Sequence, residues 1–183
     1  MKPISQGQIL IAEPFLKDPN FLRTAILLCE HNDEGSFGLV LNRLTNVRMN
    51  DVFPALTNHD IPLLYGGPVE TESLHMLHTF TEWAEGGIEV CRDVYYGGDT
   101  VAIIDALINN QLDLSRIRFF AGYSGWGGGQ LEVEMDLDSW LTVPANFDII
   151  FNSPPNETWK RAVQLLDEKY HPIIHYPLDP QLN

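Results

Sequence analysis

The segment Gly122-Tyr123-Ser124-Gly125-Trp126-Gly127-Gly128-Gly129-Gln130-Leu131-Glu132 is where residue types and spacing come nearest to chemistry, with five glycines between Gly122 and Gly129. Glycine loses more conformational freedom on folding than any other residue, so this density implies unusual dihedrals or close backbone approach. A strand-like run, Arg116 to Tyr123, precedes it, and a short helix-like run, GQLEVEMDLD, follows it. That order turns free backbone N–H groups outward, where an anion could sit. A phosphate-cradling loop would end in Gly-Lys-Ser/Thr, but Gln130 follows Gly129 and no lysine is near. A dinucleotide fingerprint needs glycine at its sixth place, which is Gln130 when counted from Gly125. A nucleophile elbow needs Gly-x-Ser-x-Gly because its turn is tight, and here Trp126 occupies the last place. Ser124 is thus a weak nucleophile candidate, the basis of an alternative hydrolase reading. The expectation is a rigid structural turn over Gly122–Gly129, with Trp126 packed across it and a helix starting near Gly128 or Gly129. Acidic Glu132 in the first helical turn suits the helix dipole and competes with a bound anion.

The other chemical side chains are dispersed. His75 and His78 stand three apart in a strand-like run, so they point to opposite faces. His171 and His175 flank Pro172; in an extended chain they stand about 13 Å apart, too far for one metal ion. Cys29 and His31 share a strand face without completing a ligand set. Cys29 and Cys91 lie in apolar runs and read as reduced core residues. No metal and no other cofactor is expected.

Eleven Lys and Arg oppose 25 Asp and Glu, a net charge of −14. That field repels phosphate backbones, so no direct nucleic-acid binding is expected and another protein is the expected partner. The N-terminal MKPISQGQILIAEPF has no long apolar run, and no stretch approaches the ~20 apolar residues of a membrane span. The expected location is the cytoplasm, with no membrane contact.

The elements that must position these residues read as one domain over 1–183. Strands are expected at Gly7–Glu13, Arg23–His31, Phe37–Asn42, Pro62–Tyr65, Ser73–Thr79, Ile88–Tyr95, Arg116–Tyr123, SWLTVP and FDIIF. Arg23–His31 and Phe37–Asn42 form a hairpin around Asn32–Gly35. Met49–Leu56 is a short helix or turn. Asp99 caps a helix over Val101–Gln111 whose apolar face holds Val101, Ile104, Ala106, Leu107 and Ile108. A second helix runs from Glu157 to Tyr170, with Trp159, Ala162, Val163 and Leu166 inward, and Pro172 stops it. Strands early and helices late indicate an α+β fold.

The motifs GQILIAEPFL, FGLVLNR, YGGPV and FFAGYSGWGGGQLEVE followed by SW, in this order from Gly7 to Trp140, resemble those of the YqgE/AlgH family of bacterial proteins. The C-terminal FDIIF and ETWKRAVQLL fit as well. Gly128 stands where family members usually have Pro, and Ser124 where they often have Ala, which weakens any nucleophilic role for Ser124. The resemblance implies an α+β fold in which a bifurcated, mainly antiparallel β-sheet closes into a pseudo-barrel with flanking helices. It implies a bacterial cytosolic protein without an established activity, often labelled a transcriptional regulator, and brings no catalytic residues. The matching positions form a ligand or partner surface or a structural cluster: Asn42, Gly66, Gly67, Pro68, Gly122, Tyr123, Gly125, Trp126, Gln130, Leu131, Glu132 and Trp140. The leading expectation is a non-enzymatic regulatory or interaction protein. The alternative is a small-ligand binding module built on the two glycine-rich turns.

Overall fold

The computed structural model describes residues 3–56 and 59–177. Among them ten strands form one mainly antiparallel sheet with several short helices. The strands are β1 (Gln8–Ala12), β2 (Ala25–Asn32), β3 (Gly35–Val40), β4 (Leu44–Arg48), β5 (Pro62–Tyr65), β6 (Val69–His78), β7 (Ile88–Cys91), β8 (Val94–Tyr96), β9 (Ile117–Gly127) and β10 (Trp140–Pro144). The helices are α1 (Met49–Val52), α2 (Thr100–Ile108), α3 (Gln130–Asp136) and α4 (Pro155–Gln164).

The hairpin forms as expected. Asn32 pairs with Gly35, and the Asn32 side-chain oxygen accepts from the Glu34 and Gly35 N–H groups at 2.9 and 3.2 Å, closing the turn. The sheet then forks at β9. One edge of β9 pairs with β6, while the other divides between parallel β5, at Phe119–Ala121, and antiparallel β3, at Ser124–Gly127. The main ladder runs β10-β1-β2-β3-β9-β6-β8-β7, and no pairing joins its ends among the described residues.

Both faces of the β1–β3 portion are covered, which explains why β1 and β2 read as continuous apolar runs. Ile9, Ile11, Leu27 and Leu39 point toward Trp159, Ala162 and Val163 of α4. Their neighbours Leu10, Ala12, Ile26, Leu28 and Val40 point the other way, toward Leu131 and Met135 of α3. Period-two alternation in a doubly covered sheet leaves no polar positions to mark it.

Several expected boundaries shift. Ile88–Tyr95 is two strands, β7 and β8, folded about Arg92 and Asp93, the latter at φ 59°. FDIIF is a helical turn over Asp148–Asn152, not a strand; its Ile149, Ile150 and Phe151 are all buried, and a short apolar run does not separate the two. Asp99 caps α2 through Ala102 N at 3.0 Å, but the buried face is Ile103, Ala106 and Leu107, with Val101 72% exposed. α4 ends at Gln164, well before Pro172, which lies inside a 3-10 turn over Glu168–His175. His171 and His175 are therefore helical rather than extended.

Candidate functional site

The largest correction concerns the glycine-rich segment. β9 continues through Gly127, so the Gly122–Gly129 turn reduces to Gly128 and Gly129. Gly129, at φ 76°, caps α3 in the left-handed region, where a β-carbon is costly. Gly125 lies outside the positive-φ positions, which removes the backbone argument for glycine there.

The two glycine-rich segments do meet, backbone against backbone. A side chain on Gly66 would run into the Gly122 carbonyl, and one on Gly67 into the Tyr123–Ser124 peptide. Gly122, at φ 66°, faces the Gly67 and Val69 carbonyls. No cleft separates the strands at this crossing. Ser124 sits mid-strand opposite Gly38, fully buried, its hydroxyl donating to Gly66 O at 3.1 Å. It is on no elbow, and the strand–turn–helix context read for it is absent. Pro68 is exposed beside the crossing. Asn42 lies elsewhere: its amide accepts from Ala25 N and donates to Arg23 O, each at 2.9 Å, extending the β2–β3 ladder by a side chain.

Trp126 and Trp140 belong to the core. Both indole N–H groups donate to one carboxylate oxygen of Glu134, at 2.9 and 2.8 Å. Gln130 donates to the other oxygen at 3.0 Å and accepts from Gly127 N at 3.1 Å. Leu131 is buried beneath, so this set clamps α3 to the sheet. Glu132 is exposed, 3.7 Å from the His31 ring.

Tyr123, Gly125 and Trp126, by contrast, reach an open groove of about 670 Å³, where they join residues from β2, β3, β6 and β8. Phe37 sits 4.9 Å from Tyr96 and 5.1 Å from Tyr123, ring centre to ring centre, and His75 lies 5.6 Å from Tyr123. A hydrogen-bond relay fixes the His75 and Tyr96 rings. The Ser73 hydroxyl donates to Glu70 O at 2.7 Å, so it accepts from His75 Nε2 at 2.7 Å; His75 Nδ1 then accepts from the Tyr96 hydroxyl at 2.8 Å. The charge-state tendencies agree. Burial holds His75 below its ordinary value, against the opposing pull of Glu70. Burial, with smaller contributions from neighbouring Cys29, Tyr123 and Glu30, pushes Tyr96 up to about 12. Glu30 and Glu34 stand on the rim, and among the described residues no lysine or arginine lines the groove.

The remaining expected residues, Asn42, Gly66, Gly67, Pro68, Gly122, Gln130, Leu131, Glu132 and Trp140, do not line it. Phe37, His75 and Tyr96 were missed because each stands on a different strand, and only the strand order unites them. His78, the expected opposite-face partner of His75, is buried, accepting from Phe80 N at 3.1 Å and lying 2.8 Å from Gly97 O. Cys29 and Cys91 are both free; burial pushes Cys29 up strongly and Cys91 up to about 11. Among the described residues no group of three His, Cys, Asp or Glu could hold a metal ion, and no helix is long and apolar enough to cross a membrane.

A family model described as AlgH-like matches residues 9–171. A UPF0301 protein of Cytophaga hutchinsonii is 36% identical over 181 residues, covering 98% of this chain and 100% of its own length. One from Chlorobaculum tepidum is 35% identical over 180 residues, covering 98% and 96%. The solution structure of the AlgH protein from Pseudomonas aeruginosa superposes with a TM-score of 0.74 at 29% identity, covering 97% of this chain and 98% of that one. A crystal structure of a Corynebacterium diphtheriae protein gives 0.79 at 20% identity, covering 96% and 94%, a likeness of fold.

Proposed function

Since the chain belongs to the AlgH-like family, we propose that it is a non-catalytic interaction domain, a cytosolic regulator acting through contacts with another protein, and that the aromatic groove receives that partner. One observation carries the reading: the groove exposes half-buried rings already packed on one another, while Ser124 and His75, the groups considered for chemistry, are already hydrogen-bonded. Ser124 is bonded inward, and His75 has both ring nitrogens engaged. Rings held in place before binding lose little freedom on contact, which favours recognition. The net charge of −14 supports a protein partner over direct nucleic-acid contact. On this reading the chain works as one unit, with the ends of the sheet drawn together as a pseudo-barrel. Support for that closure comes from contacts between β7 and the residues just before β1, the strand next to the end strand β10: the Gln6 amide donates to Glu89 O at 2.7 Å and Gly7 lies against Val90.

Titration with neutral ring probes, phenol and indole, followed by aromatic side-chain NMR tests the groove. Saturable shifts should concentrate on Phe37, Tyr96 and Tyr123. Shifts spread over the surface, or confined to another face, would contradict the reading.

A further inference from the structure

Resting on the groove reading above, we propose that the occupant is a basic, extended segment of a partner protein, with an arginine or lysine head against the rings of Phe37, Tyr96 and Tyr123 and paired with Glu30 and Glu34. Aromatic faces carry negative electrostatic potential and attract cations placed over them. The Tyr96 and Tyr123 rings lie 4.9 and 5.1 Å from Phe37, centre to centre, and all three line the groove. Both rim carboxylates lack a cationic partner: among the described residues the ion pairs are His31–Glu132, Arg48–Asp60 and Arg92–Asp93. Glu30 accepts only a neutral bond, from Asn32 Nδ2 at 2.8 Å. A cation entering here meets no fixed positive charge among the described residues, since none of the groove-lining residues is a lysine or arginine.

The size of the groove argues for a chain rather than a small cation. One ammonium or guanidinium head fills only a fraction of about 670 Å³. Residues flanking that head in a peptide fill the remainder, and the space is open enough to let a chain pass. The whole-molecule charge of −14 attracts a basic segment to the protein, and Glu30 and Glu34 draw it to this groove.

The test uses the full chain and a capped pentapeptide alternating glycine with arginine. Its counterpart carries citrulline, which keeps the shape and removes the charge. Aromatic NMR of Phe37, Tyr96 and Tyr123 should report saturable binding of the arginine peptide, with the citrulline peptide weaker by about fivefold or more. Adding salt should weaken the first and spare the second. The double variant Glu30→Gln with Glu34→Gln changes two exposed side chains, so its amide spectrum should stay native while arginine-peptide affinity falls to the citrulline level. Equal affinity for the two peptides would overturn the proposal, as would silence of these rings toward the arginine peptide. Binding of spermidine as tight as that of the peptide would overturn it by making the occupant a free polyamine. Phenol and indole shifts that persist while the arginine peptide fails would sink the cationic occupant alone and leave the groove standing.

Discussion

The Ser124 hydroxyl reaches the Gly66 carbonyl at 3.1 Å in fully buried surroundings. The same carbonyl accepts Val40 N–H at 2.9 Å. One oxygen therefore ties β3, the end of β5 and β9 together where the sheet forks, and the serine serves that junction. Replacing Ser124 with Ala removes one neutral hydrogen bond and leaves Gly66 O still paired. We expect a loss of about 0.5–1 kcal/mol in denaturant unfolding and unchanged ring-probe binding. A folded Ser124→Ala protein that had lost a cellular phenotype would restore the nucleophile reading.

Glycine substitutions should divide by crossing rather than by motif. Gly66→Ala and Gly67→Ala drive a β-carbon into the backbone of β9 and should cost about 3 kcal/mol or more, or prevent folding. Gly127 has open space around the β-carbon position and no positive φ. Gly127→Ala should be neutral or stabilising by up to about 1 kcal/mol. Gly125→Ala meets the Tyr123 ring at 3.2 Å and the Val69 side chain at 3.9 Å, both lining the groove, so its effect should appear in the groove resonances before it appears in stability. Thermal melts of the four variants, with NMR for the last, decide the matter.

Glu134 holds two indoles that no other residue serves among the described residues. Glu134→Ala strands both N–H groups in surroundings where Trp126 is 5% and Trp140 2% exposed. The cost should be about 1.5–3 kcal/mol, the range for bonds to a charged acceptor. Tryptophan emission should shift to the red as α3 loosens. Glu134→Gln keeps an acceptor and should fall between the variant and the parent.

Acidification should weaken the fold through His75 and His78. Burial, the largest cause for both, lowers them from an ordinary 6.5, against smaller opposing pulls from Glu70 on His75 and from Gly97 O and Glu82 on His78. A depressed histidine binds its proton more readily in the unfolded chain. Stability from these groups is therefore complete above 6.5 and erodes as pH falls from there toward each native value. Urea midpoints should drop across that window, and His75→Gln should flatten the slope. A midpoint that rises on acidification would refute the assignment.

The sheet was readable in the sequence wherever apolar runs were bounded by turn residues, as at Asn32–Gly35 and Pro62–Tyr65. FDIIF was not, because a buried turn and a buried strand look alike over five residues. The end of β9 was hidden by its glycines, which signal a turn in sequence yet serve a strand crossing. Of the expected surface, Tyr123, Gly125 and Trp126 reach the groove, whereas Asn42, Gly66 and Gln130 turned out to be bonding or packing elements. Phe37, His75 and Tyr96 belong to three separate strands. Only the fork at β9, a long-range pairing, gathers them.

The most direct test of the central claim is site-specific photo-crosslinking in living cells. A photoreactive residue is placed at Val69, which lines the groove, and in a second strain at Val101, exposed on α2. The account predicts a discrete protein adduct from position 69 that disappears when Tyr123→Ala is added, with none of that size from position 101. Identical adducts from both positions, or an adduct from position 69 that persists in the Tyr123→Ala background, would contradict it.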